Sequence, residues 1–377
     1  MERGWLQVGI ALLFLGTAQP WPSPSALLSR TARVLNFFPI PVSEECKAEN
    51  GRRTGICLNA YECRITSGTP HGPCALGFGV CCVFTATCGA VVENNIVYFI
   101  NPGFPGLTQG SQECTLLIKK LAPEVTQFRL DFIHFNLGQP NRKTGVCDSD
   151  RFRVTGGSSH DINICGQNSG QHLYFDVENI KDPVKISMNL SKSDLYRIWE
   201  IKITQIEFNS RAPAGCDQYF LGEKGVIQTM NYAINGRHLA DQDYNICIRQ
   251  EEKMCSIVYE PCDDNSFRIG PSYSQDDEGS GSGPISNSIR DSSPDLCEDK
   301  IVMACDTEDF ISPVGSPGLC DLLRCGNTFC SGIEGPCRIE TSTKPFNIRV
   351  KFGPGSREES PEDNIGMCLK YEQQPCT

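Results

Sequence analysis

One stretch of strand-forming sequence decides the fold: Phe128-Arg-Leu-Asp-Phe-Ile-His-Phe-Asn-Leu137. Apolar residues alternate with polar ones from Phe128 to Phe132, and alternate again, one step out of phase, from Ile133 to Leu137. Alternation with a period of two is typical of a β-strand that buries one face. A change of phase within a strand is what one inserted residue produces, so we expect a β-bulge after Phe132.

The same alternation recurs on the C-terminal side of this stretch. It is seen in four short segments: Phe152–Val154, Leu173–Val177, Val184–Leu190 and Trp199–Ile203. Turn-forming residues such as Gly156-Gly157 separate them, and no long helical pattern intervenes. Short alternating strands between turns predict an antiparallel β-sandwich, so the fold class we predict is all-β.

The 22 cysteines fall into three even groups, and this divides the chain into modules. Six lie in residues 46–82, four in 88–165 and twelve in 216–376. Even groups at this density predict separately closed disulfide frameworks in an oxidising compartment. Residues 46–82 can bury little apolar surface, so we expect three disulfides to stabilise them. Zinc is the other interpretation of dense cysteines, but paired CxxC knuckles and a following HxxxH are missing.

The N-terminal residues predict export from the cell. Residues 1–18 have the layout of a secretory signal peptide, with a basic residue at Arg3, an apolar run and the small residues Gly16-Thr-Ala18. We expect residues 19–45 to be a linker. The apolar run is shorter than the roughly 20 residues that span a bilayer, and no other stretch is long enough. The prediction is a secreted, extracellular protein without a transmembrane segment.

The charge of the chain excludes some classes of partner. Its formal net charge is −11, from 34 basic and 45 acidic residues. A nucleic-acid partner would need a basic field, and acidic membrane surfaces would repel this chain. We therefore expect no nucleic-acid partner.

The first module carries a recognisable pattern: Gly55-Ile-Cys57, Glu62-Cys63 and Gly79-Val-Cys-Cys82. The pattern resembles the clip domain of arthropod secreted proteases. That resemblance implies three disulfide pairs, namely Cys46–Cys81, Cys57–Cys74 and Cys63–Cys82.

Clip domains usually precede a trypsin-like domain, so a protease is a hypothesis to test. Such an enzyme needs a histidine base and a serine nucleophile beside an oxyanion hole. No histidine lies in an Ala-Ala-His-Cys context, and no Gly-Asp-Ser-Gly-Gly segment exists. We therefore predict a protein that is not an enzyme, with no catalytic residue and no cofactor.

The second module, residues 88–210, fits two local disulfides, Cys88–Cys114 and Cys147–Cys165. Its further motifs, in chain order, are Cys88-Gly89, Asn101-Pro-Gly-Phe-Pro105, Leu130-x-Phe-x-x-Phe135, Cys147-Asp-Ser-Asp150 and Cys165-Gly166. Together they closely resemble a CUB domain, which implies an antiparallel β-sandwich of the jelly-roll type.

Many CUB domains bind calcium through acidic residues near one end of the sandwich. The resemblance implies Asp150 and Asp194 as calcium candidates, but the family's glutamate is replaced by Gly138. Calcium prefers six or more oxygen ligands, so the alternative interpretation is acidic loop residues that face water. Asn189-Leu-Ser191 is an Asn-x-Ser sequon, and in a secreted protein we expect Asn189 to carry a glycan.

The third module, residues 216–376, echoes the second. Cys297-Glu-Asp299 echoes Cys147-x-x-Asp150, and alternating segments close the module, so we predict a divergent second CUB-like domain. The family pattern implies the pairs Cys216–Cys247 and Cys297–Cys330. Cys255–Cys376 is expected because their two segments could be neighbouring strands. The sequence leaves six cysteines unassigned among 15 possible pairings: Cys262, Cys305, Cys320, Cys325, Cys337 and Cys368.

Residues 271–294 form a low-complexity insert that we expect to be a disordered loop. Asp276-Asp-Glu278 precedes Ser280-Gly and Ser282-Gly, which resembles a glycosaminoglycan attachment signal. An ordinary flexible linker is the alternative interpretation of the same residues.

The sequence therefore favours a non-enzymatic binding or adhesion protein that recognises an extracellular protein or glycan. Clip-like and CUB-like modules without a protease domain resemble a group of secreted arthropod proteins. Two alternatives stay open: a regulator of clip-protease cascades, acting as decoy or cofactor, and a matrix component bearing glycosaminoglycan. The ligand and the oligomeric state do not follow from the sequence.

Overall fold

The computed structural model describes residues 44–49, 51–192, 194–233, 236–270, 297–303, 323–330 and 337–376. The predicted signal peptide, nearly all of the linker, the insert with Ser280 and Ser282, and the cysteines Cys305 and Cys320 lie outside these ranges. Nearly all of the regular secondary structure in the described chain is β-strand, which confirms the predicted fold class.

The first module is a small sheet with one short helix. Its strands are β1 (Glu45–Lys47), β2 (Thr54–Leu58), β3 (Thr69–Cys74) and β4 (Gly79–Val83), in the order β1-β2-β4-β3. Helix α1 (Ala60–Ile65) follows β2, and the Asn59 side chain caps it by accepting hydrogen bonds from the backbone of Tyr61 and Glu62.

The second module is a sandwich of two five-stranded sheets. Its strands are β5 (Thr85–Ala86), β6 (Ala90–Val92), β7 (Ile96–Ile100), β8 (Gln112–Ile118), β9 (Val125–Asn136), β10 (Asp150–Thr155), β11 (Ile162–Ile164), β12 (His172–Asp176), β13 (Val184–Leu190) and β14 (Ile198–Glu207). One sheet has the order β6-β8-β13-β10-β11 and the other β5-β7-β14-β9-β12.

The third module repeats this topology. Its strands are β15 (Gln218–Phe220), β16 (Lys224–Gln228), β17 (Gln242–Ile248), β18 (Met254–Pro261), β19 (Phe267–Arg268), β20 (Lys300–Met303), β21 (Leu323–Arg324), β22 (Ile339–Thr341), β23 (Asn347–Phe352) and β24 (Gly366–Pro375). The order β15-β17-β23-β20-β21 matches β6-β8-β13-β10-β11, and β16-β24-β18-β22 matches β7-β14-β9-β12. The two sandwiches are therefore two copies of one architecture.

The predicted bulge lies in β9. Phe132 pairs with Ile201 and His134 pairs with Glu200, so Ile133 is the extra residue. Because of the bulge, Phe132 and Phe135 both point into the core, where they pack with Phe152. Ile133 itself is 41% exposed, so it does not join the buried face with Phe135 as the alternation suggested.

The disulfides of the structure include seven that the sequence predicts: Cys46–Cys81, Cys57–Cys74, Cys63–Cys82, Cys88–Cys114, Cys147–Cys165, Cys216–Cys247 and Cys255–Cys376. Another bond, Cys262–Cys368, joins β18 to β24 beside the paired residues Pro261 and Leu369.

The predicted pair Cys297–Cys330 is wrong. Strand β20 pairs with β21, and this places Cys325, directly after β21, next to the segment that leads into β20. The structure therefore joins Cys297 to Cys325, with Cα atoms 6.3 Å apart. Cys330 pairs instead with Cys337.

Buried polar contacts join the two sandwiches. The Asn231 backbone N–H donates to Asn168 Oδ1 over 2.7 Å, and Asn231 Oδ1 accepts from the Gln167 N–H over 2.8 Å. Asn231 and Asn168 are both buried. Gly166 approaches Asn231 so closely that a Cβ there would lie 2.1 Å from Oδ1. Side-chain amides thus fix the register of one sandwich on the other.

Apolar packing between Ile56 and Tyr98 and polar contacts of Arg53 and Thr54 hold the first module to the first sandwich. Arg53 Nε donates to Glu200 Oε1 over 2.6 Å, and its guanidinium lies over the ring of Tyr98. The backbone N–H of Thr54 donates to the Tyr98 hydroxyl. The charge of Arg53 is therefore neutralised where β2 meets the sandwich.

Candidate functional site at the loop end of the first sandwich

Three segments meet at one end of the first sandwich and lead into β8, β10 and β14: residues 101–111, 137–149 and 194–197. We call this region the loop end. It contains Asp150 and Asp194, the residues that the sequence singled out as calcium candidates.

Asn101 organises the first of these segments. Its Nδ2 donates to the carbonyls of Pro102 and Gly106, and its Oδ1 accepts from the backbone N–H of Trp199. Both Asn101 and Trp199 are buried. These contacts explain why the motif Asn101-Pro-Gly-Phe-Pro105 stands out in the sequence, since its asparagine ties a loop to the core.

Asp150 lies in a buried ion pair with Arg197. Arg197 Nε and Nη2 each donate to one carboxylate oxygen, Oδ2 and Oδ1, both over 2.8 Å. Both side chains are 0% exposed. Asp150 Oδ2 also accepts the Gly138 N–H over 2.7 Å. The carboxylate is thus shared between a guanidinium and a backbone amide.

Calcium does not fit the residues at this position. Both oxygens of Asp150 already accept from Arg197, and a bound divalent cation would face that buried guanidinium. At Gly138, where the family has a glutamate, a Cβ would lie 2.9 Å from Asp150 Oδ2. In the described ranges, no three His, Cys, Asp or Glu side chains are grouped closely enough to hold a metal ion. The interpretation of Asp150 as a calcium ligand is therefore replaced by that of a salt-bridge partner.

The other predicted site residues lie apart from this pair. Asp194 is exposed in the segment before β14, and its role as a ligand stays a prediction. Asn189 is exposed on β13, where it pairs with Arg151 of β10 and Glu113 of β8, and glycan attachment there also stays a prediction. The glycosaminoglycan candidates Ser280 and Ser282 lie outside the described residues.

Two apolar side chains project from the loop end. Thr108 and Arg197 exchange backbone hydrogen bonds as an isolated antiparallel bridge, and both are buried. Because side chains alternate along paired strands, Leu107 and Tyr196 lie on the outer face. They are 58% and 63% exposed. The two hydrogen bonds of the bridge thus fix the backbone from which Leu107, an aliphatic side chain, and Tyr196, an aromatic one, extend into solvent.

The sequence contains one signal that points to a buried role for Arg197. Arg197 is in phase with Trp199, Ile201 and Ile203, the residues that β14 buries. An arginine on the buried face of a strand requires a carboxylate partner, since an unpaired buried charge is costly.

The second sandwich has a related pair at the equivalent place. Asp299 lies directly before β20, a position equivalent to that of Asp150 at the start of β10. Asp299 Oδ1 accepts the Gly353 N–H over 2.7 Å. His238 Nε2 lies 3.2 Å from Asp299 Oδ2, and Arg237 Nη1 lies 2.6 Å from the same ring nitrogen. Burial alone would raise the pKa of Asp299, but the hydrogen bond and charge of His238 hold it below its ordinary value.

A second surface lies between the sandwiches. A cleft of about 490 Å³ opens there, lined by residues of both domains. Its carboxylates are Asp161, Asp176, Asp217, Asp241 and Asp243. Asp243 is paired with Arg349 at 2.6 Å, and burial raises the pKa of Asp217.

His172 lies at the joint beside this cleft. Its Nε2 lies 3.1 Å from the backbone nitrogen and 3.0 Å from the carbonyl oxygen of Tyr219, and its ring packs on Phe220. Burial, together with the charge of Arg129, lowers the pKa of His172 to about 4. The imidazole is therefore neutral at physiological pH, and it hydrogen-bonds the Tyr219 backbone between the domains.

Comparison with protein families finds a match in one of the two sandwiches: residues 213–374 are similar to the animal CUB domain. Domains of this family are non-catalytic modules that mediate extracellular protein interactions. The match falls on the divergent copy, and the shared strand order extends the same architecture to the first sandwich.

Among solved structures, the CUB1-EGF-CUB2 domains of rat MASP-1 are 14% identical, with 76% of this chain and 99% of that chain covered and a TM-score of 0.26. The MASP-1 CUB2 domain bound to Ca²⁺ is 18% identical, with coverage of 31% and 98% and a TM-score of 0.26. The extracellular region of zebrafish Gpr126/Adgrg6 is 11% identical, with coverage of 75% and 36% and a TM-score of 0.27. TM-scores this low do not support conclusions about domain arrangement or binding. No curated protein matches the chain.

Within the described ranges, no helix is long and apolar enough to cross a membrane.

Proposed function

We propose that this protein is a secreted, non-enzymatic binding protein, and that the loop end of its first sandwich contacts an extracellular partner protein. The observation that carries the proposal is the pair Leu107 and Tyr196, both exposed beside a buried, hydrogen-bonded bridge. Exposed aromatic side chains on preorganised backbone are typical anchors of protein interfaces, because binding orders little that is not ordered already.

The surroundings of these side chains support the same function. Lys192 and Asp194 are exposed in the segment before β14, and they can supply the polar rim that surrounds an apolar contact. The animal CUB domain in the same chain is a module for extracellular protein interactions. A glycan partner is the other class that the sequence left open.

Affinity capture with the full-length protein tests this function. Extracellular fluid from the source is passed over immobilised protein and over the variants Leu107→Ala and Tyr196→Ala. The control is Tyr61→Ala, which removes a similarly exposed ring from the first module. We expect capture of a protein by the wild type and Tyr61→Ala, and its loss with Tyr196→Ala.

Equal capture by all variants would contradict the loop end as the binding surface. Loss of capture after glycosidase treatment of the fluid, with the partner polypeptide intact, would favour a glycan ligand instead. Far-ultraviolet circular dichroism of each variant separates lost binding from lost folding.

A second candidate function is regulation of clip-protease cascades. It is favoured by the bonds Cys46–Cys81, Cys57–Cys74 and Cys63–Cys82, which are the pairs that the clip resemblance implies. Leu76 and Phe78 are exposed on this module. If the module binds cascade proteases, immobilised full-length protein will retain them and Phe78→Ala will retain fewer. Equal retention by a matrix without protein would exclude this role.

The matrix-component alternative depends on sugar at Ser280 or Ser282, residues outside the described ranges. Chondroitinase or heparitinase digestion tests it by gel mobility, with a Ser280→Ala/Ser282→Ala variant as control. Unchanged mobility of the wild type would exclude glycosaminoglycan. The same gel after removal of N-linked glycans, compared with Asn189→Gln, tests the sequon.

A further inference from the structure

Arg197 uses every donor of its guanidinium. Nε and one N–H of Nη2 bind Asp150, the other N–H of Nη2 binds the Lys192 carbonyl, and Nη1 binds the carbonyls of Leu195 and Gly110. An arginine side chain has five N–H donors, and this geometry occupies all of them. Saturation of a fully buried guanidinium is a property of a built site rather than of a surface contact.

The five acceptors come from separate parts of the chain. Asp150 starts β10, Gly110 lies in the segment before β8, and Lys192 and Leu195 lie between β13 and β14. Two carboxylate oxygens and three carbonyl oxygens thus surround one positive group. Oxygen ligands of this kind, converging from several loops, are what a hard cation such as calcium requires. In this molecule a side chain occupies the centre of the set.

The charges at this centre are balanced without a metal. The single positive charge of Arg197 meets the single negative charge of Asp150, and neither is exposed. Gly138 contributes an N–H donor to Asp150 and no carboxylate. A divalent ion at the same place would lie beside a guanidinium and would have too few acidic oxygens as ligands.

We propose that Arg197 is a built-in cation that organises the loop end, so that this surface forms fully in calcium-free solution. The proposal concerns the order of the loops and does not depend on which partner binds there. A binding activity that is sensitive to a chelator would have to arise elsewhere in the chain.

Hydrogen–deuterium exchange of the full-length protein tests the proposal, because mass spectrometry resolves the loops as separate peptides. Exchange is measured with EDTA and with millimolar calcium for the wild type, Arg197→Gln and Arg142→Gln. Arg142 is the matched control, since it is an exposed arginine of the segment between β9 and β10. Segment-resolved exchange also separates this region from calcium binding elsewhere.

For the wild type we expect the same protection of residues 101–111, 137–149 and 194–197 in both solutions. In Arg197→Gln these segments should exchange faster by about 100-fold or more, as expected when one partner of a buried ion pair is removed. Arg142→Gln should match the wild type. Calcium-dependent protection of the wild-type loops would overturn the proposal. Equal exchange rates of these segments in Arg197→Gln and Arg142→Gln would overturn it too. If Arg197→Gln does not fold, the wild-type comparison decides alone.

Discussion

The two sandwiches share a strand order, but the aspartate at the equivalent position contacts a different basic side chain in each. In the first, Asp150 faces the guanidinium of Arg197 at 2.8 Å, and both side chains are fully buried. In the second, Asp299 faces His238, whose Nε2 lies 3.2 Å from Asp299 Oδ2. In each, the backbone N–H of a glycine, Gly138 or Gly353, also donates a hydrogen bond to the carboxylate. One architecture therefore accommodates either an arginine or a histidine beside the aspartate at the same loop position.

The two side chains also differ in what they contact. Arg197 binds backbone carbonyls of neighbouring loops, so it supports several segments at once. His238 Nε2 shares its surroundings with Asp299, Asn364 and Arg237 and has fewer backbone contacts. The first pair should therefore matter more for stability than the second, and the following measurements test that ranking.

The largest effect is expected for Arg197→Gln. The substitution leaves Asp150 buried without its cation, and breaking such a pair costs about 3–5 kcal/mol. Urea unfolding followed by near-ultraviolet circular dichroism should show an early transition of the first sandwich. Asp150→Asn combined with Arg197→Gln should recover part of the loss, because no buried charge remains. A double variant as unstable as the single one would contradict the ion-pair explanation.

The next effect is a pH dependence at the joint between the sandwiches. The pKa of His172 is about 4 in the folded protein and 6.5 for an ordinary histidine, so the unfolded chain binds more protons between these values. The free energy of unfolding should therefore fall as pH decreases from 6.5 towards 4, by at most about 3 kcal/mol.

Thermal unfolding of the wild type and His172→Gln across this pH range measures the contribution. Glutamine can still accept from the Tyr219 N–H and does not titrate, so its profile should be flatter than that of the wild type. Parallel profiles would show that His172 does not set the pH dependence.

A smaller effect is expected for His238→Gln. The variant weakens the hydrogen bond to Asp299, whose pKa lies below its ordinary value, and the loss should be about 1–3 kcal/mol. The wild-type contribution is present above the unfolded pKa of Asp299 and disappears as pH falls through the folded one. Urea midpoints of this variant and Arg197→Gln at neutral pH compare the contributions of the two side chains directly. A larger loss for His238→Gln would reverse the ranking.

The smallest effect on stability is expected for Tyr196→Ala, because the ring is exposed. Surface changes of this kind usually alter stability by less than about 0.5 kcal/mol. The same variant should lose partner capture, so binding and stability separate at this residue. A large loss of stability would show that Tyr196 packs in the fold rather than serving a partner.

The sequence predicts the strands well because burial on one face leaves a period of two, as in Phe128-Arg-Leu-Asp-Phe132. It predicts the bulge in β9 for the same reason, although the exposure of Ile133 depends on which residue leaves the ladder. The joint between the sandwiches could not be predicted, since amide contacts such as Asn168–Asn231 leave no periodic signal.

Disulfides and the charged site show a similar division. Cys255–Cys376 followed from neighbouring strands, whereas Cys297–Cys330 failed because the hairpin of β20 and β21 brings Cys325 nearer. Asp150 was located by its motif, but its function depended on Arg197, which is 47 residues away and was not recognised as its partner.

The bond between Cys255 and Cys376 has a mechanical consequence. β24 pairs antiparallel with β18, and the bond ties the end of β24 to the start of β18. Tension applied at the C-terminus therefore passes through a covalent link into β18, and β24 cannot be unzipped from its end one hydrogen bond at a time. A force applied beyond Cys376 would therefore act on the whole second sandwich rather than on β24 alone.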